Sequence, residues 1–329
     1  MKVHLLTVFA ETQSASSLGS CAYRKLLDCQ RQDRFRIHSL TNDPEEADII
    51  LFAENDHGVG VLGREVRRHP LVKKFLEKCF LYNSSDTPLP FLPGVYSSIE
   101  RQWYSPDRVR SGHYLSSHIT DPPLLSSSKR DILFSFVGAG NNSPVRRRVL
   151  QLRHSRAFCE DTSAQAHTVW HEGANAVAQF THSYAQVLAR TKFALCPRGV
   201  GASSMRLFQS MRAGCVPVII SDAWVPPTGP DWNSFSIRVP EANVQKIPVI
   251  LEAADSSSGA MGDRARGAWE DWFSDAVSFQ RVVQWCIEIR QARRGSERFN
   301  PTRLAVNAQL LRPLHLRRLL RETRSRFRR

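Results

Sequence analysis

The stretch TKFALCPRGVGASSMRLFQSMRAGCVPVIIS, residues 191–221, decides how this chain is read. An apolar run, Lys192–Cys196, leads into Pro197-Arg198-Gly199-Val200-Gly201-Ala202-Ser203-Ser204. A helical pattern comes next over Met205–Ala213, Gly214 stops it, and Cys215–Ser221 is a second apolar run. Strand, glycine-rich loop, helix and strand in that order make a βαβ unit, and apolar runs without alternation suit a parallel sheet covered on both faces. Pro217 lacks a ladder donor, so an irregular or edge hydrogen bond is expected there.

The same block suggests chemistry. Gly199 and Gly201 allow a ligand close to the backbone. Ser203 or Ser204 can cap a helix whose unpaired N–H groups and dipole favour an anion. Arg198 and Arg206 offer forked donors suited to a diphosphate. On the helix, Phe208 and Met211 face a core, whereas Arg206, Gln209 and Ser210 share another stripe, along which a nucleoside can lie. The glycine spacing fits neither a Walker nor a dinucleotide fingerprint. The plainer alternative is a surface loop with two solvated arginines.

Two further junctions point the same way. Phe136-Val137-Gly138-Ala139-Gly140 leads to a basic helix, with Ser143 as cap, Pro144 in the first turn, and Arg146, Arg147 and Arg148 behind. One of the three, with Arg146 the candidate, can reach a ligand at the sheet's carboxyl edge; the others read as a solvated face. Val218–Ile220 ends in Ser221-Asp222-Ala223-Trp224. Here Asp222 can orient a sugar hydroxyl and Trp224 can offer an apolar face, or the pair is a helix cap and a core tryptophan.

Outward from these blocks the pattern stays α/β. Val3–Phe9, Phe35–Leu40, Ala47–Ala53 and Lys78–Tyr82 read as strands, with a helix over Leu18–Cys29. Residues 84–131 are rich in loop chemistry. The expected organisation is an N-terminal Rossmann-like domain over 1–125, a second over 126–295, and a basic segment over 296–329. The 329 residues are 42% hydrophobic, an ordinary globular composition. No apolar run reaches the ~20 residues of a membrane span. The seven cysteines include no CxxC pair, so a disulfide framework or zinc site is not expected and a reducing, cytoplasmic location is the default.

The net charge of +14 is concentrated at one end: residues 290–329 hold 13 Arg against Glu297 and Glu322. The body is nearly neutral, and no aromatic platform accompanies the tail, which argues against nucleic acid as a partner. In 312–329, Leu316, Leu319, Leu320 and Phe327 make an incomplete apolar stripe among eight Arg. Such a helix can lie on an anionic inner membrane face, or it can be a solubilising end.

Taken together, Cys196-Pro-Arg-Gly199, Ser204-x-Arg206, Gly214-Cys-Val-Pro-Val-Ile-Ile-Ser-Asp222 and Trp232-Asn-Ser-Phe-Ser236 resemble the donor-binding half of the exostosin-type glycosyltransferases. Weaker echoes lie at 42–52, 130–150 and 268–289, and the chain's shortness is similar to the bacterial members. The resemblance implies α/β architecture of GT-B type, two Rossmann-like domains facing a cleft. It implies inverting, metal-independent transfer, without cofactor, from a nucleotide-sugar (most often UDP-linked) to a glycan acceptor, which a membrane location would allow to be lipid-linked. The lack of an Asp-x-Asp metal motif agrees with that. Gly138, Arg146, Arg198, Gly199, Ser203, Ser204 and Arg206 then hold the diphosphate, and Gln209, Ser221, Asp222 and Trp224 position ribose or sugar. Gln209 stands where the family usually has Glu, which raises a second reading, a donor-binding scaffold with little turnover. Inversion needs a base; Glu54 and Asp56, at the end of the Ala47–Ala53 strand, are the candidates, with His57 and His113 as rivals.

Overall fold

The computed structural model describes residues 1–8, 21–55, 63–115, 129–165 and 174–299, together with Pro313, Leu316, Arg317 and Leu320. In chain order it runs β1 (Lys2–Leu6), α1 (Cys21–Gln32), β2 (Ser39–Leu40), β3 (Ile49–Glu54), α2 (Arg64–Arg68), α3 (Pro70–Lys74), β4 (Cys79–Asn83), β5 (Gly94–Tyr96) and β6 (Val109–Ser111). Then come β7 (Ile132–Gly138), α4 (Pro144–Leu150), β8 (Ala157–Asp161), α5 (Ala174–Arg190), β9 (Thr191–Pro197), α6 (Met205–Arg212) and β10 (Val216–Ile220). The path ends with α7 (Trp232–Phe235), β11 (Ile237–Arg238), α8 (Ile247–Ala253), α9 (Ser258–Trp272) and α10 (Asp275–Ala292).

The strands form two sheets, ordered β2-β1-β3-β4-β5-β6 and β11-β10-β9-β7-β8, and every pairing is parallel. β3 and β7 are buried at every residue, as parallel strands covered on both faces must be. The expectation of two Rossmann-like α/β units is met. In each sheet the order reverses at one place, between β1 and β3 and between β7 and β9. Open α/β sheets bind ligands beyond the carboxyl ends of the strands at such a reversal.

Several local expectations shift. The strand expected at Phe35–Leu40 shrinks to Ser39–Leu40, because the Asp33 carboxylate accepts from the N–H groups of Phe35 and Arg36 and Arg36 adopts a left-handed φ of 52°. Among the described residues of 84–131 there are two strands, β5 and β6, each three residues long. Pro217 is in the sheet interior, opposite Ala194 of β9. Its missing N–H faces the β11 side, where pairing begins only at Val218.

The chain packs as two units. The first comprises Met1–Ser97, Trp103–Leu115 and the chain from Asp275 on; the second comprises Ser98–Gln102 and Ser116–Ser274. This differs from the expected 1–125, 126–295 and 296–329. α10 joins the first unit because Val277, Phe279, Val282, Val283, Trp285, Cys286 and Ile289 are all buried, and it packs on α1, β5 and β6. Lys25 pairs with Asp275 at 2.6 Å, and Arg290 donates to the Asp48 carbonyl at 3.0 Å. Beyond α10, Glu297 accepts from Arg108 Nε at 2.8 Å, and both side chains are almost wholly buried, 1% and 2% exposed. The seven cysteines are free thiols. Among the described residues no helix is long and apolar enough to cross a membrane. Most of 312–329 lies outside the described residues; Leu316 and Leu320 are exposed.

Removing one member of a buried ion pair leaves the other charge desolvated, which costs about 3–5 kcal/mol. Glu297→Ala is therefore expected to lower unfolding stability by about that amount, read as a shift in the urea midpoint at unchanged slope.

Candidate functional site

The second unit's reversal point lies between the ends of β7 and β9. There the loop Arg198–Ser204 runs from β9 to α6, and three serines from elsewhere in the sequence hold it. Ser143 Oγ donates to the Arg198 carbonyl at 2.8 Å, and Ser221 Oγ to the Ala202 carbonyl at 2.7 Å. Ser98 Oγ accepts from the Ser203 N–H at 3.0 Å. The N–H groups of Gly199, Val200, Gly201, Ala202 and Ser204 make no hydrogen bond among the described residues. Ser203 and Ser204 are buried, 3% and 5% exposed, and neither hydroxyl has a partner among the described residues. Ser204 occupies the position before α6 in extended conformation, yet its side chain makes no cap bond. The expected serine cap is thus absent, and two hydroxyls and five amides are left to a ligand.

Arginines surround this loop. Ser143 caps α4 by accepting from the Arg146 N–H, and α4 carries Arg146 over Gly199: a Cβ added there would lie 3.0 Å from Arg146 Nη2. Of the three consecutive arginines Arg146 is the one at the loop; Arg148 is likewise half-buried and Arg147 is exposed. Arg206 donates from Nε to the Val137 carbonyl at 2.9 Å and from Nη1 to Gln209 Oε1 at 2.8 Å. Its guanidinium lies 4.3 Å from the Tyr184 ring centroid. Arg198 is tied differently, donating from Nε to Glu241 Oε1 at 2.7 Å.

Other expected ligands are already engaged. The Ser221 hydroxyl clamps the loop, so its role is positioning. Asp222 is exposed and accepts from the Glu241 N–H at 3.1 Å. Trp224 is a core residue, 1% exposed, set edge-on against Trp232 at 5.0 Å, and offers no face to a sugar. Gly138 ends β7 where a Cβ would lie 2.9 Å from the Phe136 ring. The following Gly140 N–H is already bonded to Asp161 and Ser163, so this glycine loop contributes shape and not free amides. Ser98 and Glu241 went unpredicted: both act on the 198–204 loop from far along the chain, and neither stands in a local pattern that betrays it.

In the first unit, Glu54 ends β3 at the β1/β3 reversal. It is fully buried and accepts from Thr7 Oγ1 at 2.9 Å and the Val8 N–H at 2.7 Å. Burial outweighs these bonds and pushes its carboxyl up to about 7. His113 lies under α10, bonded to Ser278 Oγ at 3.1 Å. Burial lowers it to about 4, so its imidazole is uncharged near neutral pH. Asp56 and His57 lie outside the described residues.

Residues 98–254 match the Exostosin GT47 domain. The chain is 44% identical over 70 residues to an exostosin-1 homolog of Caenorhabditis elegans, covering 21% of this chain and 18% of that protein. It is 32% identical over 128 residues to a probable glycosyltransferase of Arabidopsis thaliana, covering 38% and 22%. The chain thus spans about a fifth of the length of these curated relatives. Among solved structures, HepE of Anabaena in complex with UDP aligns over 87% of this chain and 100% of its own, at 8% identity and a TM-score of 0.39. The matched stretch holds the β7–β11 sheet and its 198–204 loop, so this part of the chain is similar to the exostosin-type glycosyltransferases.

Proposed function

We propose that this chain is an inverting, metal-independent glycosyltransferase that moves a sugar from a UDP-sugar to a glycan acceptor in polysaccharide assembly. The observation that carries this reading is the 198–204 loop: among the described residues, five of its N–H groups lack acceptors and two of its buried hydroxyls lack partners, beside Arg146, Arg198 and Arg206. A departing nucleoside diphosphate develops negative charge, and fixed amides and guanidinium groups stabilise such charge without reorganising. Arg198 shares its charge with Glu241, so Arg206 and the amides are the principal holders. Glu54 is the base that we assign to the acceptor hydroxyl, since a carboxyl titrating near neutrality combines availability as the anion with strength as a base. The arginine-rich 312–329 would bring the enzyme to the cytoplasmic face of an anionic membrane carrying a lipid-linked acceptor.

A thermal-shift panel of UDP-, GDP- and dTDP-sugars tests the donor class: a ligand at 100 times its Kd adds about 2.7 kcal/mol of stability, and UDP-sugars are expected to give the largest rise in Tm. Arg206→Ala should weaken UDP binding about 10- to 100-fold, the worth of a charge-assisted bond. Binding across the panel without turnover on any acceptor would favour the scaffold reading.

Glu54 makes a separate prediction in pH. Its folded carboxyl is raised from 4.5 to about 7, so the folded protein holds a proton there that the unfolded chain releases. That contribution is fully present below 4.5 and is lost as pH climbs to about 7, amounting to about 3 kcal/mol. In Glu54→Gln this part of the pH dependence of unfolding should vanish. The acid limb of kcat/KM near 7 should go with it, and kcat should fall about 10²- to 10⁴-fold.

A further inference from the structure

We infer that Gln209 sets the charge preference of this site: by holding Arg206 through a neutral bond, it leaves the guanidinium's charge to the ligand, and the site takes its affinity from the phosphates more than from the ribose. The inference rests on the reading of the 198–204 rim as a diphosphate site.

Three partners fix Arg206, the Val137 carbonyl, Gln209 Oε1 and the Tyr184 ring, and all three are uncharged. Among the described residues no carboxylate pairs with Arg206, in contrast to Arg198 on Glu241. Gln209 and Tyr184 are buried, 3% and 5% exposed, so water screens the guanidinium poorly on that side. A guanidinium can only donate hydrogen bonds. The amide of Gln209 must therefore turn its oxygen to Arg206, and what it can offer a ligand is the Nε2 donor. A carboxylate at 209 would reverse both properties, neutralising Arg206 and presenting an acceptor suited to ribose hydroxyls. With glutamine this position adds a donor and no carboxylate to the rim, which matches phosphate oxygens and serves a diol less well.

The test is calorimetric titration of wild type, Gln209→Glu and Gln209→Met with inorganic pyrophosphate, UDP and uridine, with unfolding midpoints measured alongside. Wild type should bind pyrophosphate almost as tightly as UDP. Gln209→Glu should weaken both about tenfold or more, by a margin that narrows as salt is raised, while uridine binding is unchanged or improved. Gln209→Met removes the amide but adds no charge, and should keep pyrophosphate affinity within about threefold. UDP and pyrophosphate bound equally well or more tightly by Gln209→Glu would overturn the inference and leave the site reading intact. An equal loss in Gln209→Met would also overturn it, since shape and not charge would then be responsible. If wild type bound no nucleoside diphosphate, the reading of the rim would fail and this inference with it.

Discussion

Three serine hydroxyls holding one loop are the constraint on which the candidate site is built. Ser143, Ser221 and Ser98 reach the Arg198–Ser204 backbone from an α-helix cap, a strand end and the start of the second unit. Two of them engage carbonyls, so those polar groups are satisfied within the protein while most of the loop's amides are not. A flexible glycine loop would lose much of its affinity to the ordering of its own backbone; fixing it beforehand removes that cost. The glycines serve close approach, as Gly199 under Arg146 shows, and the serines supply the rigidity.

Much of this was legible in the sequence. Unalternating apolar runs such as Ala47–Ala53 and Cys215–Ser221 announced buried parallel strands, and the Pro-Arg-Gly…Ser-Ser junction announced the strand, loop and helix that build the candidate site. Other features carry no local signal. β5 and β6 are three residues long, too short for any periodicity to show. α10 is buried nearly all round, so its composition does not say which sheet it covers. Ser98 and Glu241 reach the 198–204 loop through partners 105 and 43 residues away. Trp224 shows the opposite failure: an aromatic residue after a strand end suits a ligand and a core equally, and only its packing on Trp232 decides.

The two sheets share one strand order and use its reversal point for opposite electrostatics. In the second unit the point is lined by hydrogen-bond donors and guanidinium groups, an environment that draws anions. In the first it is closed by a buried carboxyl whose two donors, Thr7 and the Val8 N–H, do not offset its desolvation. One backbone plan therefore sets unpaired amides and arginines at one reversal point and a buried, desolvated carboxyl at the other. The difference lies in the residues at and just beyond the strand ends, two serines and arginines in one unit and a glutamate in the other.

The return of α10 to the first unit also fixes an order of events during synthesis. The β7–β11 sheet and its helices come from a nearly continuous stretch of chain and can close as soon as that stretch leaves the ribosome. The earlier sheet must wait with one flank uncovered, because the helix that shields α1, β5 and β6 is translated after the whole of the second unit. A nascent chain that has emerged as far as Ser274 and no further would thus hold a finished second unit and, in the first, an apolar surface still awaiting its cover. That interval is when the polypeptide is most exposed to chaperones and to aggregation.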